Sequence, residues 1–420
     1  MKIASGLLCL LAFNPMSLFS QTQLSPIIDS DITLTAAYSP YIINQNTLIV
    51  ENVTLTIEPG VTIKTDPISS KDLTVQGELI AIGNQNNPIL FDALSVKFDS
   101  KTKGYSSLTD SGTQFKYCQF REGNSAKRAI YNDGSSLKFN NCHFENKYYC
   151  IYSRGGSQEN EIIVDSCTFS GASEKGYPIY SSGTKTSISI TNSEFNDCYG
   201  VYAYSDNFKV KNNNFQRVNS ATFTFYGSGL ISCNNFKNIK GGVVLNIYTG
   251  YDTLDLNFAN NTLDSVGGGF YPMLKLYGTT PQANYPQSIN INYNNFLHCD
   301  SNVKKIQVTG TNRDPQNYSA VNANENYWLS TDSALISNMI SDYNSDIMIW
   351  AKLDWNSYSN NIINNCTDQT NSILTPEYKV PRTLIRIFDL KGNSVAKPLP
   401  NRLYIYQYSD GSRVKNVIIQ

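Results

Sequence analysis

Charged side chains are sparse in this chain (16%), so those that fall close together are the first to consider for chemistry. Glu194 and Asp197 gather in one repeat. Glycoside hydrolysis needs two carboxylates flanking one bond, but a single acidic pair on a surface is more often solvated charge than catalyst. Lys209 and Lys211 face one side near Asp206 and Arg217. A lyase would need such a base, with carboxylates or Ca2+ to neutralise a uronate; the plainer reading is an ordinary exposed strand. Asp252 and Asp255 offer Ca2+ two carboxylates, short of the roughly six to eight oxygens it usually takes. His143 and His298 lie in repeats far apart, which argues against a zinc site or a nucleophile–histidine pair. No metal or other cofactor is expected, and no catalytic residue is assigned.

A second pattern suits binding. Ile130-Tyr131, Ile151-Tyr152, Ile179-Tyr180 and Val201-Tyr202 recur after successive phenylalanines. With the aliphatic residue inward, strand alternation throws each tyrosine outward. Tyr131, Tyr152, Tyr180 and Tyr202 would then form an exposed strip, continued by Phe223 and flanked by Tyr149, Tyr177, Tyr199 and Tyr204. Flat amphipathic rings suit stacking on sugar faces, with Asn and Ser nearby for hydroxyls. The competing explanation is that tyrosine favours exposed strands and stacks for stability.

The elements carrying these residues repeat. Phe120, Phe144, Phe169, Phe195, Phe215, Phe236 and Phe296 recur, with Leu263 in the same place once, at gaps of 24, 25, 26, 20, 21, 27 and 33 residues. Two places before each stands Cys118, Cys142, Cys167, Ser193, Asn213, Asn234, Asn261 or Asn294. Periods of this size mean stacked supersecondary units. Within each unit, runs such as Ile188-Ser189-Ile190 and Ile289-Asn290-Ile291 alternate at a period of two, separated by Asn, Gly, Ser and Asp. A coil that bends at the same corner every turn predicts an all-β right-handed parallel β-helix. Asn suits that corner because it tolerates left-handed backbone and can hydrogen-bond along a stack. Cys198, Val218, Ile239, Val266 and Cys299, three places after the phenylalanine position, should point inward.

The segments Leu55 to Ile63 (LTIEPGVTI) and Leu73 to Leu79 (LTVQGEL) resemble the opening coils of bacterial secreted right-handed β-helix proteins of the pectate-lyase-like fold. Asn326-Tyr327-Trp328, with Thr331-Asp332-Ser333 and Asp342-Tyr343-Asn344, is similar to their closing segment, although Leu329 stands where glycine is usual. Many such proteins are polysaccharide lyases or glycosidases. The Asn-Thr-Asp, Asp-Asp, Gly-His-Gly and Arg-Ile-Lys motifs of polygalacturonases are absent, so binding is favoured over catalysis. A short helix capped at Asp332 should close the far end and cover strand edges.

Residues 1–20 read as a signal peptide: Lys2, an apolar run from Ile3 to Phe13, and Ser20 before Gln21. No segment is apolar for long enough to be transmembrane. The β-helix is expected over 21–330 and a cap and linker over 331–375. Residues 376–420 should form a small β-sandwich module, with strands separated by Lys391-Gly392-Asn393 and Ser409-Asp410-Gly411 turns. That module is similar to the C-terminal sorting module of the type IX secretion system of Bacteroidetes. Arg402 departs from its usual glycine, and an upstream YPNP segment is missing. The resemblance implies that the secretion machinery is a partner and that the location is secreted or on the outer-membrane cell surface. With 33 basic and 34 acidic residues the net charge is −1, which gives nucleic acid no electrostatic hold. The expected partner is an extracellular polysaccharide or surface glycan, bound by a monomer. Nine cysteines less Cys9 leave eight, expected as free buried thiols because Cys118, Cys142 and Cys167 share one interior position.

Overall fold

In the computed structural model, every third strand joins the same parallel sheet. The structure describes residues 21–366 apart from 66–70, 122–127, 146–147, 156–157, 172–175, 184, 206, 220–222, 226, 240–243, 249–253, 268–271, 280–286, 299–303 and 312–318, and beyond 366 residues 384–389, 395, 403–408 and 413–417. Sheet A has 12 strands, from Thr22–Gln23 to Asn295–Phe296; sheet B has 13, from Ile27–Ile28 to Ile340–Ser341; sheet C has 13, from Ile32–Leu34 to Ala351–Asp354. The chain is a right-handed parallel β-helix, as its repeats predict. The signal peptide, Asp206, Asp252 and Cys299 lie outside the described residues.

Register turns the repeat into a core. Phe91, Phe120, Phe144, Phe169, Phe195, Phe215, Phe236, Leu263 and Phe296 stand in one file on sheet A. From Phe91 to Phe236 consecutive rings are stacked, with centroids 4.6–5.1 Å apart and planes within 15° of parallel. The spacing is that of neighbouring strands, so a period-two pattern repeated at coil length becomes a continuous apolar column. Cys198, Val218, Ile239 and Val266 are buried as expected.

The corner before sheet A holds a second column. The side-chain Oδ1 atoms of Asn213, Asn234, Asn261, Asn294 and Asn326 accept the backbone N–H of Ser193, Asn213, Asn234, Asn261 and Asn294 at 2.8–3.0 Å. Their Nδ2 groups donate to carbonyls of the preceding coils, from Ile190 to Ile291. Peptide groups at a dry bend are thereby satisfied. The left-handed residue is not the ladder asparagine, as expected, but the one before it: Asn192, Asn212, Cys233 and Asn260 have φ of 51–59°. A second left-handed place, at Asp197, Arg217, Asn238 and Ser265, follows the sheet A strands Glu194–Asn196 and Asn214–Gln216 and falls inside the strands Asn235–Ile239 and Thr262–Val266.

The far end closes as expected. Helix Ser333–Asn338 is capped by Asp332, whose side chain accepts the N–H of Ala334 at 2.8 Å. Sheets B and C each then gain one more strand, so solenoid strands run past residue 330 to Asp354. After them the chain turns back along the asparagine corner. Ser359 N–H donates to Asn326 O, and Asn295 pairs with both the N–H and the C=O of Ile363 at 2.8 Å.

The chain divides into two compact units at Asn365 and Cys366. In the second, the described residues form one antiparallel sheet of Leu384–Phe388, Leu403–Tyr408 and Arg413–Val417. The second layer of the expected sandwich is not among them. The cysteines need one correction. Cys118, Cys142, Cys150, Cys167 and Cys198 are buried thiols outside any disulfide, but Cys233 and Cys366 are disulfide-bonded. Cys233 sits at a left-handed corner rather than in the interior column and is only part-buried.

Candidate functional site

Sheet B carries the aromatic strip. Ile130, Ile151, Ile179 and Val201 are fully buried, and Tyr131, Tyr152, Tyr180 and Tyr202 in the next places are half-buried on the outer face, each in register with the next. Their rings stack: Tyr131 on Tyr152 at 5.8 Å, Tyr152 on Tyr180 at 5.0 Å and Tyr180 on Tyr202 at 4.8 Å, with planes within 13° of parallel. The stack therefore covers both faces of Tyr152 and Tyr180. What these rings offer outward is edges and hydroxyls, not the flat faces that the sequence suggests. Phe223 does not continue the strip; it pairs with Val201 and is buried, and Thr224 takes the next outer place.

A second file flanks the first. Tyr149, Tyr177 and Tyr199 stand three residues before Tyr152, Tyr180 and Tyr202, and Arg128 holds the same place before Tyr131. Tyr149 meets Tyr152 and Tyr180 at 66° and 63°, and Tyr177 meets Tyr202 at 52°. Because the stacked rings lie across the solenoid axis, rings steeply inclined to them have planes running along it. Burial, followed by neighbouring tyrosines, raises the pKa of Tyr149 and Tyr180, so both remain neutral donors at physiological pH. The Arg128 guanidinium lies 4.3 Å over the Tyr152 ring and 5.2 Å over that of Tyr131, in cation–π range. Arg154 donates to the Tyr131 hydroxyl at 3.3 Å. Sequence reading missed both arginines, although for Arg128 four copies of an Arg/Tyr-x-Ile/Val-Tyr pattern carried the signal.

The catalytic candidates do not assemble. Glu194 opens a three-residue strand of sheet A and Asp197 follows its end. Three residues and a left-handed corner separate them, which puts their Cα atoms at most about 10 Å apart. Arg217 grips Asp197 in a bidentate pair at 2.7 Å. Glu194 instead lines a shallow groove of about 340 Å³ with Asn192, Asn212, Asn214 and Asn235. Lys209 and Lys211 are exposed on sheet C, away from both the acidic pair and the tyrosines. Burial raises the Glu161 carboxyl, and nearby Lys209 partly offsets that rise. His143 bonds Thr168 at 2.5 Å, and His298 pairs with Asp264 at 2.8 Å and lowers its carboxyl. Among the described residues no group of His, Cys, Asp and Glu could hold a metal ion.

The structure adds one cluster that the sequence did not indicate. Glu51, Thr54, Glu78, Lys101 and Lys103 line a cleft of about 210 Å³ near the start of the solenoid. Glu78 is 7% exposed and takes Lys103 at 2.7 Å, while Lys101 faces Glu51 at 4.0 Å. Each carboxylate thus already has its own cation.

Comparison with known proteins bears on the solenoid. Residues 128–302 match the family model described as right handed beta helix region. No curated protein and no solved structure matches the chain. No helix among the described residues is long and apolar enough to cross a membrane.

Proposed function

We propose that this chain is a secreted or cell-surface β-helix protein that binds glycan, or acts in adhesion, without cleaving it. A single observation carries the reading: seven tyrosines in two files on the outside of sheet B, spanning consecutive coils, with the rings of one file stacked 4.8–5.8 Å apart. Rings with one apolar body and one polar tip suit a ligand that has both apolar faces and hydroxyls. The spacing repeats along the axis as a polymer does. A signal peptide at 1–20 and a sorting module resembling that of the type IX system would take the protein to the outer surface, where such a polymer is met. We expect it to act as a monomer.

Substituting both Tyr152 and Tyr180 with Ala should abolish polysaccharide retention while leaving the far-UV circular dichroism of the solenoid in place. Undiminished retention by the folded double variant would sink the reading. The alternative, a polysaccharide lyase or glycoside hydrolase with an unfamiliar site, draws its support from the Glu51–Glu78–Lys101–Lys103 cleft. A time course of neutral and acidic polysaccharides, with and without Ca2+, separates the two: new reducing ends or shortened chains would make the protein an enzyme.

A further inference from the structure

We infer that the Arg128 end of the tyrosine face takes an anionic substituent, a carboxylate or a sulfate ester, so that the polymer held there is an acidic glycan. This deepens, and rests on, the glycan reading above. Several surface cations of the solenoid are ion-paired, Arg217 with Asp197, Lys97 with Asp72, Lys103 with Glu78 and Lys138 with Asp110. Arg128 is not, and unlike the exposed Lys209 and Lys211, which also make no ion pair, it is held against the tyrosine face. It is half-buried over two ring faces, its Nε is buried without a hydrogen-bond partner, and among the described residues no carboxylate pairs with it. The Nε is closed to a ligand as it is to solvent, whereas the Nη groups are not among the buried atoms and carry the N–H fork that fits carboxylate and sulfate oxygens.

Arg154 adds a second positive charge at the same end, donating only to the neutral Tyr131 hydroxyl. Asp133 lies near enough to favour its charged form but makes no ion pair with it. Lys97, in register with Tyr131, is already held by Asp72 at 2.5 Å. The face therefore has polarity along the axis, with two cations that make no ion pair at its start and tyrosines for the rest. With a net charge of −1 the chain as a whole gives no general attraction for polyanions, so any retention of them must be local.

The test uses the full chain and two neutral backbones, dextran and cellulose, each unmodified, carboxymethylated and sulfated, in affinity electrophoresis. Anionic derivatives should be retained more strongly than their parents, and less so as salt rises. Arg128→Gln should weaken retention of the anionic forms roughly tenfold, the scale of a lost charge-assisted pair, with only a small fall in the thermal midpoint from the lost ring contacts. Arg128→Lys should recover only part of it. If Arg128→Gln fails to fold, exposed Arg154→Gln provides the same reading. Retention of only carboxymethyl or only sulfate forms identifies the substituent. Equal retention of neutral and anionic forms, or an unaffected Arg128→Gln, overturns this inference and leaves the tyrosine face standing if Tyr152→Ala with Tyr180→Ala still abolishes binding. No retention of any polymer by the unaltered chain overturns both.

Discussion

At the residue scale, asparagine does two jobs with two different atoms. Asn192, Asn212 and Asn260 supply left-handed backbone at the corner, which a short polar side chain tolerates. At the next place in the corner, Asn213, Asn234 and Asn261 supply buried amides that pair with the peptide groups the bend leaves open. Asn234 shows what is at stake. Its Oδ1 accepts both the N–H and the Nδ2 of Asn213, and its Nδ2 serves the Val210 carbonyl and Asn261. Replacing it with Ala strands at least two buried peptide groups, at about 1–3 kcal/mol each. Urea unfolding should show Asn234→Ala destabilised by about 3 kcal/mol or more. Asn234→Ser should lose less, because Ser193 fills the same place and accepts the Cys167 N–H at 3.0 Å. A loss below about 1 kcal/mol in the alanine variant would mean that the column contributes little.

At the element scale, the turn between the last strands and the closing helix carries local strain. Leu329 has φ of 60° and is about half exposed (48%), so it neither fits its backbone region nor fills the core. Left-handed backbone costs an ordinary residue roughly 1–2 kcal/mol, partly offset by the greater freedom that glycine loses on folding. Leu329→Gly should therefore raise the unfolding midpoint, by up to about 1 kcal/mol in stability. A drop in stability would show that the leucine side chain has a packing role. Beyond this turn, the segment that pairs with Asn326 and Asn295 runs along the edge of sheet A. Sheet A ends one strand earlier than the other two, and this segment bonds to the coils where it stops.

On the scale of the whole molecule, the stacked column makes the interior a single dry body whose parts touch only their neighbours in sequence. Solenoids of this kind have stabilities that sum over coils and interfaces. The five free thiols spread through the interior report on it. Burial raises the Cys142 and Cys167 thiols well above their ordinary value and pushes Cys198 up to about 12. A folded-state pKa above the unfolded one favours the protonated form, so this contribution is intact below about pH 8.5 and is lost as pH climbs toward the folded value. Alkaline conditions from about pH 9 upward should thus lower the unfolding midpoint. Near pH 7.5, a thiol reagent should leave all five cysteines unlabelled in the native protein and reach them together on unfolding. Staggered labelling of Cys118 and Cys198 would instead show coils opening one by one.

The architecture was legible because a β-helix writes its geometry into a period. The Phe120-to-Phe296 spacing and the small or amide residue two places earlier follow from one corner and one interior place repeated every coil. The cap at Asp332 was legible for an equally local reason, since an N-cap acts within a few residues of itself. The candidate site was only half legible. Alternation alone puts Tyr131, Tyr152, Tyr180 and Tyr202 on one outer face, but whether ring faces or ring edges look outward depends on χ angles and on neighbours a coil away. Tertiary register likewise laid Arg128 over two tyrosines, gave Asp197 to Arg217, and brought Glu51 and Glu78 beside Lys101 and Lys103. A repeating backbone is determined by local preference summed over many copies, whereas a site depends on single contacts between coils, and those exist only once the coils are stacked.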